Sequence, residues 1–468
     1  MKFERSFSTG DRQAPHTAAS PQGLFRPLNK DSSGPLIKSI DLTKYLFDNF
    51  SESSEYFPMN DIRPIRARSG TNQEGTSAHN RRVMIDALRR NGALSRAELA
   101  RATKLTKQTV SNIIEDLERD GLVSSGASVR KGRGQPSTPY SLVPEGAFAI
   151  GLQIDRHVVR AVAVDLVGTV RVKMDANLPA GGPAEGVKVV LHIIERARRE
   201  LARTAEQSER RLVGLGVAMP GPFGMQSDEN DPWMMAAWQS FPLLETLAAG
   251  TGLDVGLQND AAAAATAERM TGAAHGVDHA ICIFLGYGLG AGLILDGQLY
   301  NGYSGNAGEI GMMLCHPANG KIGAGARLEH HASLATLCRA LDLDPGDPEL
   351  YGCIERAALE FGPAMAAWMR QAADELRWTV QLLESVFDPQ TMILCGGAPA
   401  ALTTRLIDAM HPLLPSIAER PSRSMPRLQL GITGPWSVAL GAASEPISRT
   451  FDPRFSAILK TPASSALE

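Results

Sequence analysis

The chain has 468 residues, of which 43% are hydrophobic and 21% charged, with a net charge of −3. It is too long for one ordinary core and too apolar for a disordered chain, so two or three globular domains are expected. The near-neutral charge argues neither for nor against nucleic acid, because a local basic patch can hide in a neutral average. Five irregularly spaced cysteines fit a reducing compartment better than a disulfide framework. Met1–Gly10 lacks the apolar core of a signal peptide, and no apolar run approaches the ~20 residues of a membrane span. A cytoplasmic protein is expected.

Residues 1–78 are rich in Ser, Pro, Gly and Asn and read as a flexible extension, with a short helix near Asp41–Phe50. The texture then changes. Arg81–Asn91 places Val83, Met84, Ala87 and Leu88 on one helical face, and Gly92 stops it. Ser95 and Glu98 have the spacing of a capping box, in which each side chain satisfies an orphan amide of the first turn, so a second helix is predicted over Arg96–Thr103. Thr106 caps a third helix running to about Asp120, with Val110, Ile113, Ile114 and Leu117 inward. Leu122–Val123 and Tyr140–Leu142 read as strands flanking a loop at Arg130–Pro136.

Three short helices and a two-stranded wing form an architecture that lays its third helix in a DNA major groove. The exposed start of that helix offers Lys107, Gln108, Thr109, Ser111 and Asn112. Gln and Asn pair bidentately with adenine, while Lys, Thr and Ser suit guanine edges or phosphates. In the wing, Arg130, Lys131 and Arg133 lie among glycines that let the backbone approach the duplex, and the arginines suit a narrow minor groove. From Arg81 to Arg133 cations outnumber acids, which supplies a salt-dependent attraction to phosphates. The competing reading is a solvated basic loop beside a winged helix that binds protein.

After Pro144 strands and helices alternate. Phe148–Ile154, Val158–Leu166 and Thr169–Asn177 read as a meander, followed by a helix over Val187–Arg203. Val213–Val217 and Val255–Gln258 are buried strands, Asp260–Met270 an alanine-rich helix, and Ala280–Leu285 with Ala291–Leu295 a hairpin pair. Ala372–Val386 is a helix and Thr391–Cys395 a strand, and Gly396–Gly397 turns into another helix. No internal repeat is evident. The expected domains are thus an extension (1–78), a winged helix (79–142), a large α/β domain (143–446) and a loose tail (447–468).

The segments Leu94–Ala100 and Gly132–Pro136 resemble the winged helix of ROK-family regulators (repressors, open reading frames, kinases). The resemblance continues through about residue 446. Gly214–Pro222, Asn259–Asp260, Leu285–Gly292, Gly308–Gly311 and Cys395–Gly397 match, in order, motifs of that family's two-lobed actin-like sugar-kinase fold. It implies Asn259, Asp260, Glu309 and Glu329 as sugar contacts, with Asp260 at the position of the catalytic base. Two departures stand out. Where family kinases read Asp-x-Gly-Gly-Thr, this chain reads Gln153-Ile154-Asp155-Arg156-His157, with a carboxylate where phosphate should approach. Like unit charges at 4 Å repel by about 4 kcal/mol at an effective dielectric of 20. The zinc motif is also lost: Met312 stands at its His position and Lys321–Glu329 carries no thiolate. Cys315, His316, His330 and His331 match no standard zinc spacing and read as surface or packing residues. No catalytic residue, cofactor or metal is therefore expected. The resemblance implies a repressor or activator of sugar-metabolism genes that binds a double-stranded operator and responds to a sugar or sugar phosphate, and a palindromic operator, which requires two heads, predicts a homodimer or homotetramer. A bifunctional sugar kinase and an effector-free scaffold are the alternatives.

Overall fold

The computed structural model describes residues 73–128, 137–179, 182–224, 235–315 and 327–454, all within one compact unit, Thr71–Glu468. The expected extension up to residue 72 and the wing residues Arg130, Lys131 and Arg133 lie outside the described residues.

Three helices and a small sheet come first: α1 (Gln73–Asn91), β1 (Leu94–Ser95), α2 (Arg96–Thr103), α3 (Lys107–Arg119), β2 (Val123–Ser125) and β3 (Pro139–Leu142), with strand order β1-β3-β2. The capping box forms as expected, with Ser95 Oγ accepting from the Glu98 amide at 3.4 Å and the Ser95 amide donating to Glu98 Oε2 at 2.9 Å. Thr106 caps α3 by accepting from the Thr109 amide at 3.2 Å. Val110, Ile113, Ile114 and Leu117 are buried along one face of α3. Helix α1 starts at Gln73 instead of Arg81, and Thr76–His79 in the added turns are all exposed. A turn that buries nothing leaves no apolar period to read.

The remainder is built on two five-stranded sheets. The first contains β4 (Phe148–Asp155), β5 (Val158–Asp165), β6 (Val170–Asn177), β7 (Leu212–Met219) and β8 (Val255–Asn259) in the order β6-β5-β4-β7-β8. The second contains β9 (Ala280–Leu285), β10 (Leu289–Leu295), β11 (Gln298–Tyr300), β12 (Thr391–Gly396) and β13 (Leu428–Thr433) in the order β11-β10-β9-β12-β13. In each, a three-strand antiparallel meander is extended by two parallel strands. The chain therefore repeats one topology twice, although no sequence repeat announces it. Burial pattern suffices to specify a strand, so the two halves need not share residues.

The lobes meet along two helices, α7 (Asp260–Thr271) and α12 (Ser437–Phe451). Their small residues let the backbones touch: a Cβ on Gly441 would sit 1.7 Å from the Ala263 carbonyl oxygen, and one on Gly216 of β7 would sit 1.9 Å from that of Ala442. Helix α12 continues through Pro446 to the buried Phe451, past residue 446 where a loose tail was expected. Pro446 cannot donate to Ala442, yet the helix survives because its face is enclosed by strand and helix packing. In the intervening segments lie α4 (Pro183–Thr204), α5 (Met235–Ser240), α6 (Leu243–Thr251), α8 (Leu334–Leu341), α9 (Leu350–Glu360), α10 (Pro363–Phe387) and α11 (Ala400–Met410). Among the described residues no helix is long and apolar enough to cross a membrane, and all five cysteines are unpaired.

The winged helix is not a bead on a string. Its core residues Met84, Leu88, Ile114 and Leu117 belong to one apolar cluster with Val162, Val164, Leu166, Ile447 and Phe451 of the first lobe. At this seam Arg89 donates to the Leu166 carbonyl at 3.4 Å, and burial pushes its guanidinium down to about 10. Arg90 pairs with Asp86 at 3.2 Å and with Asp278 of the second lobe at 3.3 Å. Asp278 also receives Arg454 at 3.2 Å.

Candidate functional site

At the solvent face of α3, Lys107, Gln108 and Asn112 are exposed and Thr109 and Ser111 partly so. Gln108 Nε2 donates to Asn112 Oδ1 at 2.9 Å, so the two amides form an i,i+4 pair that presents one donor–acceptor surface. Thr109 is already engaged, its hydroxyl lying 2.8 Å from that of the capping Thr106. The basic excess counted in the sequence is not all turned outward. Arg81 pairs with Asp120, Arg89 is held at the seam, and Arg90 is tied to Asp86 and Asp278. Among the described residues of α2, α3 and the turn between them, Arg101, Lys104, Lys107 and Arg119 are exposed, and Arg119 is paired with Asp116 at 2.8 Å.

Between the two lobes lies a cavity of about 740 Å³ lined by all four expected ligand contacts, Asn259, Asp260, Glu309 and Glu329. Asn259 ends β8 and caps α7, its Oδ1 accepting from the Ala262 amide at 2.7 Å while its Nδ2 donates to Glu309 Oε1 at 3.3 Å. Asp260 is the first helical residue and not the cap. Its Oδ1 is sealed from solvent without a partner, although the residue as a whole is partly exposed. Burial, reinforced by the nearby Asp155 carboxylate, holds Asp260 well above the usual carboxylate range. Glu309 approaches Asn259 over Gly221, where a Cβ would meet Glu309 Oε1 at 2.8 Å. Glu329 has Arg327 at 3.9 Å.

The segments at the positions of the family's phosphate loops line the same cavity, and Asp155, Arg156 and Tyr287 contribute to its wall. Arg156 Nη1 donates to Asp155 Oδ1 at 2.8 Å, and the guanidinium lies over the Tyr287 ring, 3.8 Å from its centroid. One cation thus bridges the first loop to the glycine-rich Gly286–Gly290 segment. Gln153 is buried and turned toward Arg160, whose Nη1 donates to it at 3.5 Å. Sequence reasoning singled out Asp155 and Arg156 as disruptive. It missed Tyr287 as their partner, a contact across 131 positions that no local signal carries. Trp238 is core, 3% exposed, with Gly186 leaving room for its ring. Met312 lines the cavity and its sulfur receives Arg327 Nη1 at 3.4 Å. Of the Lys321–Glu329 run, 321–326 lie outside the described residues.

The profile of the ROK family matches residues 149–444, well over half of the chain. The chain belongs to the ROK family. A second profile, that of the MarR family, matches residues 83–134, the span of the winged helix. This ROK protein is 26% identical over 80% of its length to an uncharacterized protein, y4fQ, of Sinorhizobium fredii, covering 91% of that protein. It is 26% identical to the xylose repressor of Bacillus subtilis over 56% of its length and 67% of the repressor. It is 28% identical to a glucokinase of Halalkalibacterium halodurans over 49% of its length and 74% of the enzyme. In fold it is similar to a ROK family transcriptional regulator, described as a homolog of the Escherichia coli MLC protein. That likeness has a TM-score of 0.58 and 19% identity, and it covers 81% of this chain and 97% of that one. The winged helix followed by a two-lobed actin-like sugar-kinase fold is thereby the architecture of this ROK chain.

Proposed function

We propose that this ROK protein is a DNA-binding transcription regulator, a repressor of carbohydrate-metabolism genes, that answers to a sugar or sugar phosphate in the inter-lobe cavity and has no kinase activity. The observation that carries this reading is the single apolar core shared by the winged helix and the first lobe. Through it, a change in lobe closure reaches the DNA-reading helix without a flexible linker, and a ligand acts by preferring one closure state. The names of relatives, among them xylose repressors of Bacillus subtilis and Caldicellulosiruptor bescii, support the substrate class. Lys107, Gln108, Thr109, Ser111 and Asn112, with Arg130, Lys131 and Arg133 of the wing, are the residues proposed to meet the operator. Asn259, Asp260, Glu309 and Glu329 are those proposed to meet the ligand. A palindromic operator needs two heads, and the apolar stripe Trp378, Leu382 and Val386 on the exposed face of α10 suits a homodimer or homotetramer.

The decisive experiment is an operator gel shift across pentoses, hexoses and their phosphates. Release of the operator by one of them is expected, and indifference to all would discard the effector. Kinase activity is the second reading, favoured by Asp260 and the glycine-rich segment both lining the cavity. The Asp155–Arg156–Tyr287 bridge opposes it, because it places a carboxylate, and a cation already paired with it, at the loops that would hold a triphosphate. A coupled ATP-turnover assay with hexoses tests this, and sustained phosphorylation would overturn the non-enzymatic reading.

A further inference from the structure

Sequence spacing placed no zinc site near Cys315 and His331, because the third partner lies far away on another element. Ile310–Met312 forms a short 3-10 turn directly after Glu309, and Leu328–His330 forms another that contains Glu329. The two segments are tied by a bridge between Leu314 and Arg327 and by the Leu328 amide donating to the Met313 carbonyl at 2.8 Å. Cys315 directly follows the first segment, His331 directly follows the second, and Glu375 lies on α10. Among the described residues these three are the group whose ligand atoms converge, with all of them within 4.8 Å of one another.

We propose that Cys315, His331 and Glu375 hold a zinc ion that clips the two segments carrying Glu309 and Glu329 to helix α10. A thiolate, an imidazole and a carboxylate are a zinc donor set, and thiolate with imidazole disfavours calcium and magnesium. Ligand atoms around tetrahedral zinc lie about 3.4–3.8 Å apart, given bond lengths of ~2.0–2.3 Å, so rotamer adjustments close the site. A second observation is independent of that convergence. His331 Nε2 is sealed from solvent and has no hydrogen-bond partner, while Nδ1 meets the side-chain amide of Gln371. Gln371 lies one turn before Glu375 on the same face of α10. With its amide turned so that the oxygen accepts from Nδ1–H, Gln371 fixes the tautomer that leaves the Nε2 lone pair free for a cation. The site differs in ligands and position from the family motif this chain has lost. It leaves one coordination position for water.

The test uses the full chain, stripped with a chelator and titrated with cobalt(II), then zinc. One cobalt ion per chain with a thiolate-to-metal charge-transfer band is expected, and zinc should displace it. Cys315→Ser should abolish the band, and Glu375→Gln should weaken binding at least tenfold with the far-ultraviolet circular dichroism unchanged. Cys353→Ser should leave the band intact, because that thiol sits apart and receives Arg356 at 3.1 Å. Absence of a band, its survival in Cys315→Ser or its loss in Cys353→Ser would overturn the proposal, leaving only a thiol hydrogen-bonded to a carboxylate. If Cys315→Ser fails to fold, Glu375→Gln decides: unchanged cobalt affinity refutes the site. Operator binding is read separately, so failure here leaves the regulator reading standing.

Discussion

Arg89 is the residue at which the seam between head and body can be probed most sharply. Its guanidinium is buried at the junction, its Nε has no partner, and its one described hydrogen bond, to Leu166, is long at 3.4 Å. Burial lowers its pKa from the ordinary arginine value to about 10, against the opposing pull of Asp86 and Asp452. That drop corresponds to about 3 kcal/mol of penalty for keeping the charge inside the fold, an upper figure because side chains and water relax around it. Replacing Arg89 with Met keeps most of the packed volume and removes the charge, so the variant should be more stable by about 1–3 kcal/mol. Thermal or urea unfolding of the full chain would show this as a midpoint raised by a few degrees or a few tenths molar. The sign with pH follows from the direction of the shift. The unfolded chain holds this proton more tightly, so the penalty is full below about pH 10 and fades as pH rises above it. The advantage of Arg89→Met should therefore shrink in that alkaline window. Operator affinity should not move, since Arg89 is remote from the outward face of α3. A loss of stability above 1 kcal/mol in Arg89→Met would show that the buried charge is well paired and would refute the reasoning.

Other perturbations test the remaining parts. Gln108→Ala and Asn112→Ala should each cost about 1–3 kcal/mol on a cognate operator and relax preference at one base pair, while Lys107→Ala weakens all duplexes alike and lowers the salt slope by about 1; fluorescence anisotropy over a salt series separates them. Glu309→Gln, which keeps shape and removes charge beside Asn259, should raise the effector concentration needed for operator release by about 5- to 20-fold, with ligand-free affinity unchanged. In the second lobe, Arg427 grips the fully buried Glu384 at 2.6 and 3.0 Å. Glu384→Ala strands that guanidinium and should cost about 3–5 kcal/mol, measured by calorimetry as a loss centred on one lobe.

Much of the winged helix was legible because its signals are local. The Ser95–Glu98 box, the Thr106 cap and the apolar face of α3 act within four residues of chain, and all formed as read. Asp155, Arg156 and Met312 were likewise visible as letters. Strands β11 and β13 were missed: β11 is a three-residue edge, and β13 is half-exposed with a broken alternation. Reading cations along the sequence overstated the DNA face, since only burial and pairing reveal that Arg81, Arg89 and Arg90 are already committed.

What the residues determined unaided was therefore chiefly the elements whose stabilising contacts lie within a turn or two, such as the capped helices α2 and α3. Tertiary structure alone decided the doubled strand order, the core shared by head and lobe, the Arg156–Tyr287 bridge and the meeting of Cys315 and His331 with Glu375. The physical reason is that these depend on which faces pack across tens to hundreds of residues. Such contacts are selected by shape and burial in the folded whole, and they leave no periodic trace in the segments that make them.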